Sequence, residues 1–198
     1  MYTPDSPILG QPQATEAQCS AYMLRRPHSD AYDETAIADI IVPAYFNICG
    51  DVELDAVLLI SQMIHETGNL TSWWSQRPRR NPAGIGITGR NRSEPPTSGA
   101  WADMGDGVWA EGVSFGSWAG ESIPAHAGRL LAYALPKHIG TEAQQQLIAK
   151  ALAYRALPDR YRGAAPTLRG LQGTWAVPGR LYATKLAAIA NAMCAVQP

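Results

Sequence analysis

The stretch AVLLISQMIHETGN, residues 56–69, joins a long apolar run to an acidic end. Because the run leaves no polar stripe, it is typical of a central helix that other helices surround. The sequence predicts a helix over residues 52–66 that Gly68 and Asn69 terminate. Apolar surroundings and the C-terminal end of a helix both favour the protonated form of a carboxyl group. Glu66 is therefore a candidate general acid, although a solvated glutamate at a helix end would give the same pattern.

The segments on either side of this helix carry helical patterns and one turn-rich pattern. Apolar residues at three- and four-residue intervals predict further helices over residues 15–25, 33–48 (bent at Pro43), 121–135, 141–156 and 180–195. Residues 84–120 differ, because they hold half of the chain's 18 glycines and several short β-type segments. That composition predicts a small β-hairpin lobe. The predicted fold is therefore mainly α, with a Gly-rich β-lobe inserted after the central helix.

Composition and charge narrow the class of protein. With 198 residues, 46% of them hydrophobic and 17% charged, the chain has the composition of one globular domain. We expect an extended, proline-rich N-terminal arm over residues 1–13 and the domain proper over residues 14–198. The formal net charge of −1 gives no electrostatic basis for binding nucleic acid. No apolar stretch reaches the roughly 18 residues that a membrane span needs, and we expect a monomer.

The cysteines and histidines show no metal-ligand spacing. The cysteines are Cys19, Cys49 and Cys194. They are odd in number and form no C-x-x-C pair, which favours buried thiols over one disulfide and one free thiol. His65-Glu66 begins like the zinc motif H-E-x-x-H, but Asn69 stands where the second histidine is needed. We therefore predict neither a metal site nor a cofactor.

Residues 112–116, GVSFG, match the G-x-S-x-G pattern around a nucleophilic serine. An α/β-hydrolase needs an acid and then a histidine downstream of that serine, on a largely parallel sheet. Here Glu121 is the only acid between the serine and the two later histidines, His126 and His138, and no series of parallel strands is predicted. Ser114 is therefore predicted to be a hairpin residue between glycines and not a catalytic nucleophile.

Four blocks of the sequence resemble, in order, the motifs of one family of glycan-cleaving enzymes. The blocks are LISQMIHETGNLTSWWSQ (59–76), NPAGIGITG (81–89), SFGSWAGESIPAHAGRLLAYAL (114–135) and GTWAVPGRLYATKLAAIANAM (173–193). They are similar to a buried helix ending in Glu-Thr/Ser-Gly, an Asn-Pro-x-Gly turn, a phenylalanine with a loop and a helix, and a closing aromatic helix. Together they resemble the glucosaminidase domains of glycoside hydrolase family 73, which occur in bacterial autolysins and phage lysis enzymes.

This resemblance implies a lysozyme-like α+β domain that hydrolyses β-1,4 bonds of peptidoglycan on the reducing side of N-acetylglucosamine. It implies that Glu66 protonates the glycosidic oxygen as the general acid. It also implies a cleft floor formed by the turn after the central helix. The residues of that floor are Asn81, Gly84, Ile85 and Gly86.

Aromatic residues are the other implied substrate contacts. The family often has an essential tyrosine where this chain has Trp175, and Tyr182 matches the next aromatic position. This departure puts the role of the tyrosine in question, and both residues are candidates for binding the substrate. Four further tryptophans are candidates for stacking on sugar rings: Trp73, Trp74, Trp101 and Trp109. Packing in the core is the expected role of at least half of these four.

The resemblance leaves the second carboxylate open, because that residue varies within the family and lies on the mobile β-lobe. Glu111 is the first candidate, since it directly precedes a matching block. Asp103 and Asp106 are the next candidates, and Glu94 is less favoured. The acetamido group of the substrate could instead assist from the other face of the sugar.

Two alternatives stand beside this prediction. A muramidase or lytic transglycosylase of the same fold would cut the neighbouring bond or form an anhydro ring, and a silent glycan-binding module would cut nothing. In each case the expected partner is the glycan strand of peptidoglycan, at the cell wall or in the periplasm. Residues 1–12 lack the basic and apolar regions of a signal peptide. We therefore expect export by another route, delivery by a phage, or a place within a longer protein.

Overall fold

The computed structural model describes residues 1–198, and six α-helices form its main body. They are α1 (Glu16–Leu24), α2 (Val42–Asp51), α3 (Ala56–Thr67), α4 (Ile123–Ala134), α5 (Glu142–Tyr154) and α6 (Tyr182–Cys194). Wider helical turns at Thr35–Ile41 and Trp118–Ser122 lead into α2 and α4, and short 3₁₀ turns lie at Asp159–Tyr161 and Leu168–Leu171. Every helix predicted from the sequence is present, with ends that differ from the prediction by about one turn at most.

The helix predicted over residues 33–48 is divided into two parts. Thr35–Ile41 has the wider hydrogen-bond spacing of a π-helix, and α2 continues from it to Asp51. Pro43 lies at the start of α2, directly after the π-helical turn, and its missing N–H removes one donor from this continuous helical run. Pro43 therefore marks a junction between two helical forms at the predicted bend.

Helix α3 occupies the centre of the molecule, as its composition predicts. Every residue from Ala56 to Ile64 is buried, and α3 packs against α2 and α6. The Asp55 carboxylate caps its first turn by accepting from the backbone N–H groups of Val57 (2.9 Å) and Leu58 (3.3 Å). The helix therefore begins one turn later than predicted. Gly68 ends it in the left-handed conformation (φ +60°), which residues with side chains rarely adopt.

Residues 1–13 run across the domain and are anchored in its core. The Tyr2 hydroxyl donates to Asp55 Oδ2 (2.8 Å), and the Tyr2 backbone exchanges two hydrogen bonds with the side chain of Asn191 on α6 (2.8 Å each). Ile8 is fully buried, and its backbone is hydrogen-bonded to Pro166 and Asp55. The arm thus packs on the N-terminal end of α3. The division of the chain into an arm and a domain stays a prediction.

The β-lobe is a three-stranded antiparallel sheet in the order β1–β3–β2. Its strands are β1 (Asn91–Arg92), β2 (Trp101–Gly105) and β3 (Val108–Glu111). A small cluster of buried side chains joins the base of the lobe to α4. Its members are Ile85, Val113, Phe115 and Ala125. The prediction of a mainly α fold with a small β-lobe is confirmed.

The helices are short, and none of them combines the length and the apolar character that crossing a lipid bilayer requires. The three cysteines are free thiols, buried at Cys19 and Cys49 and partly exposed at Cys194. Burial raises the pKa of the Cys19 thiol to about 12, so this thiol stays protonated at neutral pH. Cys194 is therefore the thiol that reagents can reach.

The contact between α4 and α5 depends on a glycine. A Cβ atom at Gly128 on α4 would lie 2.2 Å from the Leu147 carbonyl oxygen on α5. We expect Gly128→Ala to lower the free energy of unfolding by about 1 to 3 kcal/mol, because a helix backbone must move to admit the methyl group. Chemical denaturation measures this loss. The matched control is Gly50→Ala on α2, where a Cβ meets nothing within 4 Å and alanine is the better helix former. Equal stability of the two variants would contradict the prediction.

Candidate active site

A cavity of about 540 Å³ opens at the C-terminal end of α3. Its walls come from the end of α3, the turn at residues 83–86, one side of α4, and the segments at residues 155–161 and 174–176. Glu66 is the one carboxylate in this lining, and Arg129 and Arg155 are its other charged groups. The predicted general acid therefore faces a cavity and not a flat, fully solvated surface.

The two oxygens of Glu66 have different surroundings. Oε1 accepts two hydrogen bonds, from the Trp175 indole N–H (3.0 Å) and from the Tyr182 hydroxyl (2.5 Å). Oε2 makes no hydrogen bond within the protein. The side chain is partly buried in the last turn of α3. The pair of donors therefore fixes the carboxyl group and leaves Oε2 as the oxygen that a ligand in the cavity can reach.

Behind Glu66, a chain of buried polar side chains continues into the core. Gln62 Nε2 donates to the Tyr182 oxygen (2.8 Å), the Gln62 carbonyl oxygen contacts His126 Nε2 (3.0 Å), and His126 Nδ1 contacts the Tyr45 hydroxyl (2.9 Å). Gln62, His126 and Tyr45 are all fully buried. Four helices contribute to this series of hydrogen bonds: Gln62 lies on α3, Tyr182 on α6, His126 on α4 and Tyr45 on α2. The position of Glu66 is thus tied to the packing of the whole helical core.

The direction of every hydrogen bond in this chain can be assigned. Burial lowers the pKa of His126 to about 3, so its ring is neutral and carries one N–H. If that N–H were on Nδ1, the Tyr45 hydroxyl would become a buried donor without an acceptor. Nε2 therefore carries the hydrogen and donates to Gln62, which in turn donates to Tyr182. Tyr182 stays a donor, because burial, reinforced by the nearby Glu66 carboxylate, raises its pKa well above the ordinary value.

This polarity decides which oxygen of Glu66 carries its acidic proton. Oε1 receives hydrogens from both Trp175 and Tyr182, and an indole N–H can only donate. A proton on Oε1 would compete with these donors. In the protonated acid the hydrogen therefore sits on Oε2, which is the oxygen left for the cavity.

The neutral state of His126 predicts a loss of stability in acid. The pKa of His126 is about 3 in the folded chain and about 6.5 in the unfolded chain. Between these pH values the unfolded chain binds a proton that the folded chain does not bind. The contribution of neutral His126 to the free energy of unfolding is therefore complete above about pH 6.5 and is lost as the pH falls towards 3. Between about pH 6.5 and 4, we expect the wild type to lose about 3 kcal/mol more unfolding free energy than His126→Gln.

Denaturant titrations at a series of pH values measure this difference in slope. His138→Asn is the matched control, because His138 is exposed and asparagine tolerates its left-handed backbone (φ +66°). The control should follow the wild type at every pH. Parallel curves for the wild type and His126→Gln would show that the buried ring accepts a proton in the folded state.

The floor of the cavity is a tight turn that Asn81 holds from beneath. The Asn81 amide donates to the carbonyls of Ile85 (2.8 Å) and Val113 (2.9 Å), and its oxygen accepts from the backbone of Ala83 and Ile85. Only glycine fits at position 86. The φ of Gly86 is +75°, and a Cβ there would lie 2.7 Å from a methyl group of Val113. Gly84, Ile85 and Gly86 line the cavity, whereas Asn81 is buried behind them.

None of the candidate second carboxylates lines the cavity. Glu111 is held by Arg90 through two hydrogen bonds of 2.6 Å and by the Thr88 hydroxyl. These bonds, those from Arg90 above all, lower the pKa of Glu111, so it is ionised and already paired. Asp103 accepts from the backbone of Gly105 in the hairpin, and Asp106 and Glu94 are exposed on the lobe. The structure thus brings no second acid to Glu66.

The aromatic candidates fall into two groups. Trp175 lines the cavity, and Tyr182 is buried behind Glu66 without lining it. Trp73 and Trp74 pack edge to face, with ring centres 4.9 Å apart, and lie outside the cavity. Trp101 and Trp109 lie on the strands of the lobe, also outside it. Contact of these residues with a substrate stays a prediction.

Two sets of residues at the site escaped the sequence reasoning. The first is the buried chain of Gln62, His126 and Tyr45. Gln62 gave a signal, because it is a polar residue four positions before Glu66 in a largely apolar helix and so shares its face. The second set is the arginine pair, Arg129 and Arg155, for which no motif pointed to the cavity.

Comparisons with known proteins add a limited observation. The chain matches no protein-family model and no curated protein sequence. Among solved structures it is similar to the catalytic domain of the autolysin Auto from Listeria monocytogenes. That similarity covers 91% of this chain and 86% of the other, at 17% identity and a TM-score of 0.45. Similarity of this degree assigns no reaction to this chain.

Proposed function

We propose that this protein is a peptidoglycan hydrolase of the endo-β-N-acetylglucosaminidase type, with Glu66 as its general acid. One observation carries the proposal: a single carboxyl group faces the cavity, with one oxygen fixed by two donors and the other free. Glycoside cleavage needs a positioned acid that hands a proton to the leaving oxygen. The sequence blocks that resemble family 73 supply the substrate class, and the bacterial cell wall is the proposed place of action.

In the proposed reaction, Glu66 Oε2 gives its proton to the glycosidic oxygen while the bond from that oxygen to the sugar C1 breaks. Because no second carboxylate lines the cavity, we assign the next step to the acetamido group of the substrate, whose carbonyl oxygen bonds to C1. Water then attacks C1 and gives a proton to the ionised Glu66, while the bond from C1 to the acetamido oxygen breaks and the acetamido group is restored. A role for Glu111 would require it to leave Arg90 and approach the cavity.

Mass spectrometry of digested peptidoglycan tests the proposal. Purified sacculi are incubated with the wild type, and new reducing ends are labelled by borohydride reduction. We expect reduced N-acetylglucosamine at the ends of the fragments. Reduced N-acetylmuramic acid would identify a muramidase, and anhydro ends would identify a lytic transglycosylase. Uncut strands would show that the protein is at most a glycan-binding module. Incubation with Glu66→Gln gives the background of uncatalysed cleavage.

A further inference from the structure

One wall of the cavity carries two positively charged side chains, Arg129 and Arg155. Arg129 lies on α4, Arg155 follows α5, and both line the cavity together with Glu66. Neither arginine forms a salt bridge. The whole chain has a net charge of −1, so this concentration of positive charge is local. An unpaired arginine pair in a concave site raises the local concentration of anions.

The guanidinium of Arg129 is held in place by neutral contacts. Arg129 donates through one terminal nitrogen to the backbone carbonyl of Arg155 (2.9 Å). Its guanidinium also lies 6.0 Å from the ring centres of both Tyr133 and Trp175. Since a guanidinium has several N–H groups, most of those of Arg129 stay available after this bond. Arg155 is exposed at the rim, and its guanidinium makes no hydrogen bond within the protein.

The arginines are not partners of the catalytic acid. Both donors to Glu66 are neutral groups, the Trp175 indole and the Tyr182 hydroxyl. Neither Arg129 nor Arg155 hydrogen-bonds to Glu66. Within the protein, Arg129 donates to the Arg155 carbonyl and interacts with the Tyr133 hydroxyl, whereas the Arg155 guanidinium makes no hydrogen bond. The remaining N–H groups are free to bind an acceptor on a ligand in the cavity.

We propose that Arg129 and Arg155 form a subsite for a carboxylate attached to the glycan strand. This inference rests on the proposed function and extends it. A planar guanidinium binds a carboxylate through two parallel hydrogen bonds, which a neutral sugar hydroxyl cannot match. In peptidoglycan the carboxylate has two sources, a free lactyl group on the sugar and the stem peptide. The subsite makes the enzyme select anionic peptidoglycan strands over neutral polymers of N-acetylglucosamine.

Binding to short glycans of defined charge tests the subsite without catalysis. Isothermal calorimetry on Glu66→Gln compares four ligands: a neutral N-acetylglucosamine oligomer, a muramyl glycan with free lactyl carboxylates, the same glycan with those groups converted to amides, and a glycan carrying stem peptides. We expect at least one carboxylate-bearing ligand to bind about 10-fold or more tightly than both neutral ligands. The tighter of the two anionic ligands identifies the source of the carboxylate.

Substitutions in the same Glu66→Gln background locate the effect. Arg129→Met keeps the aliphatic stem and should weaken binding of the anionic ligand about 10-fold. Arg155→Gln, at an exposed position, should weaken it by about 2- to 5-fold. Lys150→Gln is the matched control, because Lys150 is exposed on α5 outside the cavity and carries the same charge. The control should leave every affinity unchanged, and neutral ligands should not respond to either arginine.

The possible outcomes separate this proposal from the proposed function. Equal binding of the amidated and carboxylate glycans, or no effect of Arg155→Gln and Arg129→Met, overturns the subsite and leaves the hydrolase in place. Charge-dependent binding by a wild type that cuts no glycan overturns the hydrolase and supports the subsite. Absence of binding to all four ligands overturns both.

Discussion

Glu66→Gln should lower the rate of glycan hydrolysis by about 10²- to 10⁴-fold, the usual contribution of a general acid, while the protein keeps its fold. The amide can place its oxygen where Oε1 accepts from Trp175 and Tyr182. Its NH₂ group then takes the position of Oε2, where it has no acidic proton to give. The loss should therefore appear in kcat, with the binding of substrate largely retained.

Release of reducing ends from purified peptidoglycan measures the rate, and thermal denaturation reports the fold. Glu34→Gln is the matched control, because Glu34 is exposed and its side chain makes no hydrogen bond. It repeats the same chemical change away from the cavity and should retain full activity. A well-folded Glu66→Gln with wild-type activity would remove Glu66 from the role of general acid.

Tyr182→Phe should have the second largest effect, a fall of about 10- to 100-fold in kcat with KM nearly unchanged. The hydroxyl makes a hydrogen bond of 2.5 Å to a group that changes charge during the reaction, and such bonds contribute about 1.5 to 3 kcal/mol. Because Tyr182 does not line the cavity, its loss should not weaken substrate binding. The variant also leaves the buried amide of Gln62 without its acceptor, so we expect about 1 to 3 kcal/mol less stability.

Tyr2→Phe separates the two effects of the tyrosine substitution. Its hydroxyl is also buried, donates to a carboxylate and accepts one hydrogen bond, but that carboxylate is Asp55 at the opposite end of α3. The two carboxylates are eleven helix positions apart, or roughly 16 Å. Tyr2→Phe should therefore lose comparable stability and keep its kcat. Equal kcat values for the two variants would mean that Tyr182 has only a structural role.

Features that depend on local sequence pattern could be predicted from the sequence. The apolar run from Ala56 to Ile64 predicted the central helix, because a helix buried on all sides has apolar residues on every face. The role of Glu66 at the end of that helix stays a prediction. Helical periodicity also places Gln62 on the face of Glu66, although the sequence-based prediction did not use this signal. What the pattern could not supply was the partner of Gln62. His126 comes from another helix, 64 positions later in the chain, and only tertiary packing brings the two together.

The contacts of the charged side chains also depend on tertiary packing that the sequence pattern does not show. Glu111 was a reasonable candidate for a second acid, because acidic residues on the lobe can be read from the sequence. Its pairing with Arg90 depends on the register of β3 against the segment before β1, which the sequence does not specify. Likewise, Arg129 and Arg155 meet at the cavity because α4 and α5 pack antiparallel at Gly128. Neither contact follows from residue spacing.

The base of the β-lobe and the floor of the cavity are one piece of structure. Asn81 binds the Val113 carbonyl, and the Val113 side chain occupies the space that a Cβ at Gly86 would need, so the chain that leaves the lobe also supports the floor of the cavity. The strands at residues 91–111 lie beyond this joint and are mostly exposed. The outer hairpin is therefore a unit that natural variation or protein engineering can exchange while the end of α3 that carries Glu66 stays in place.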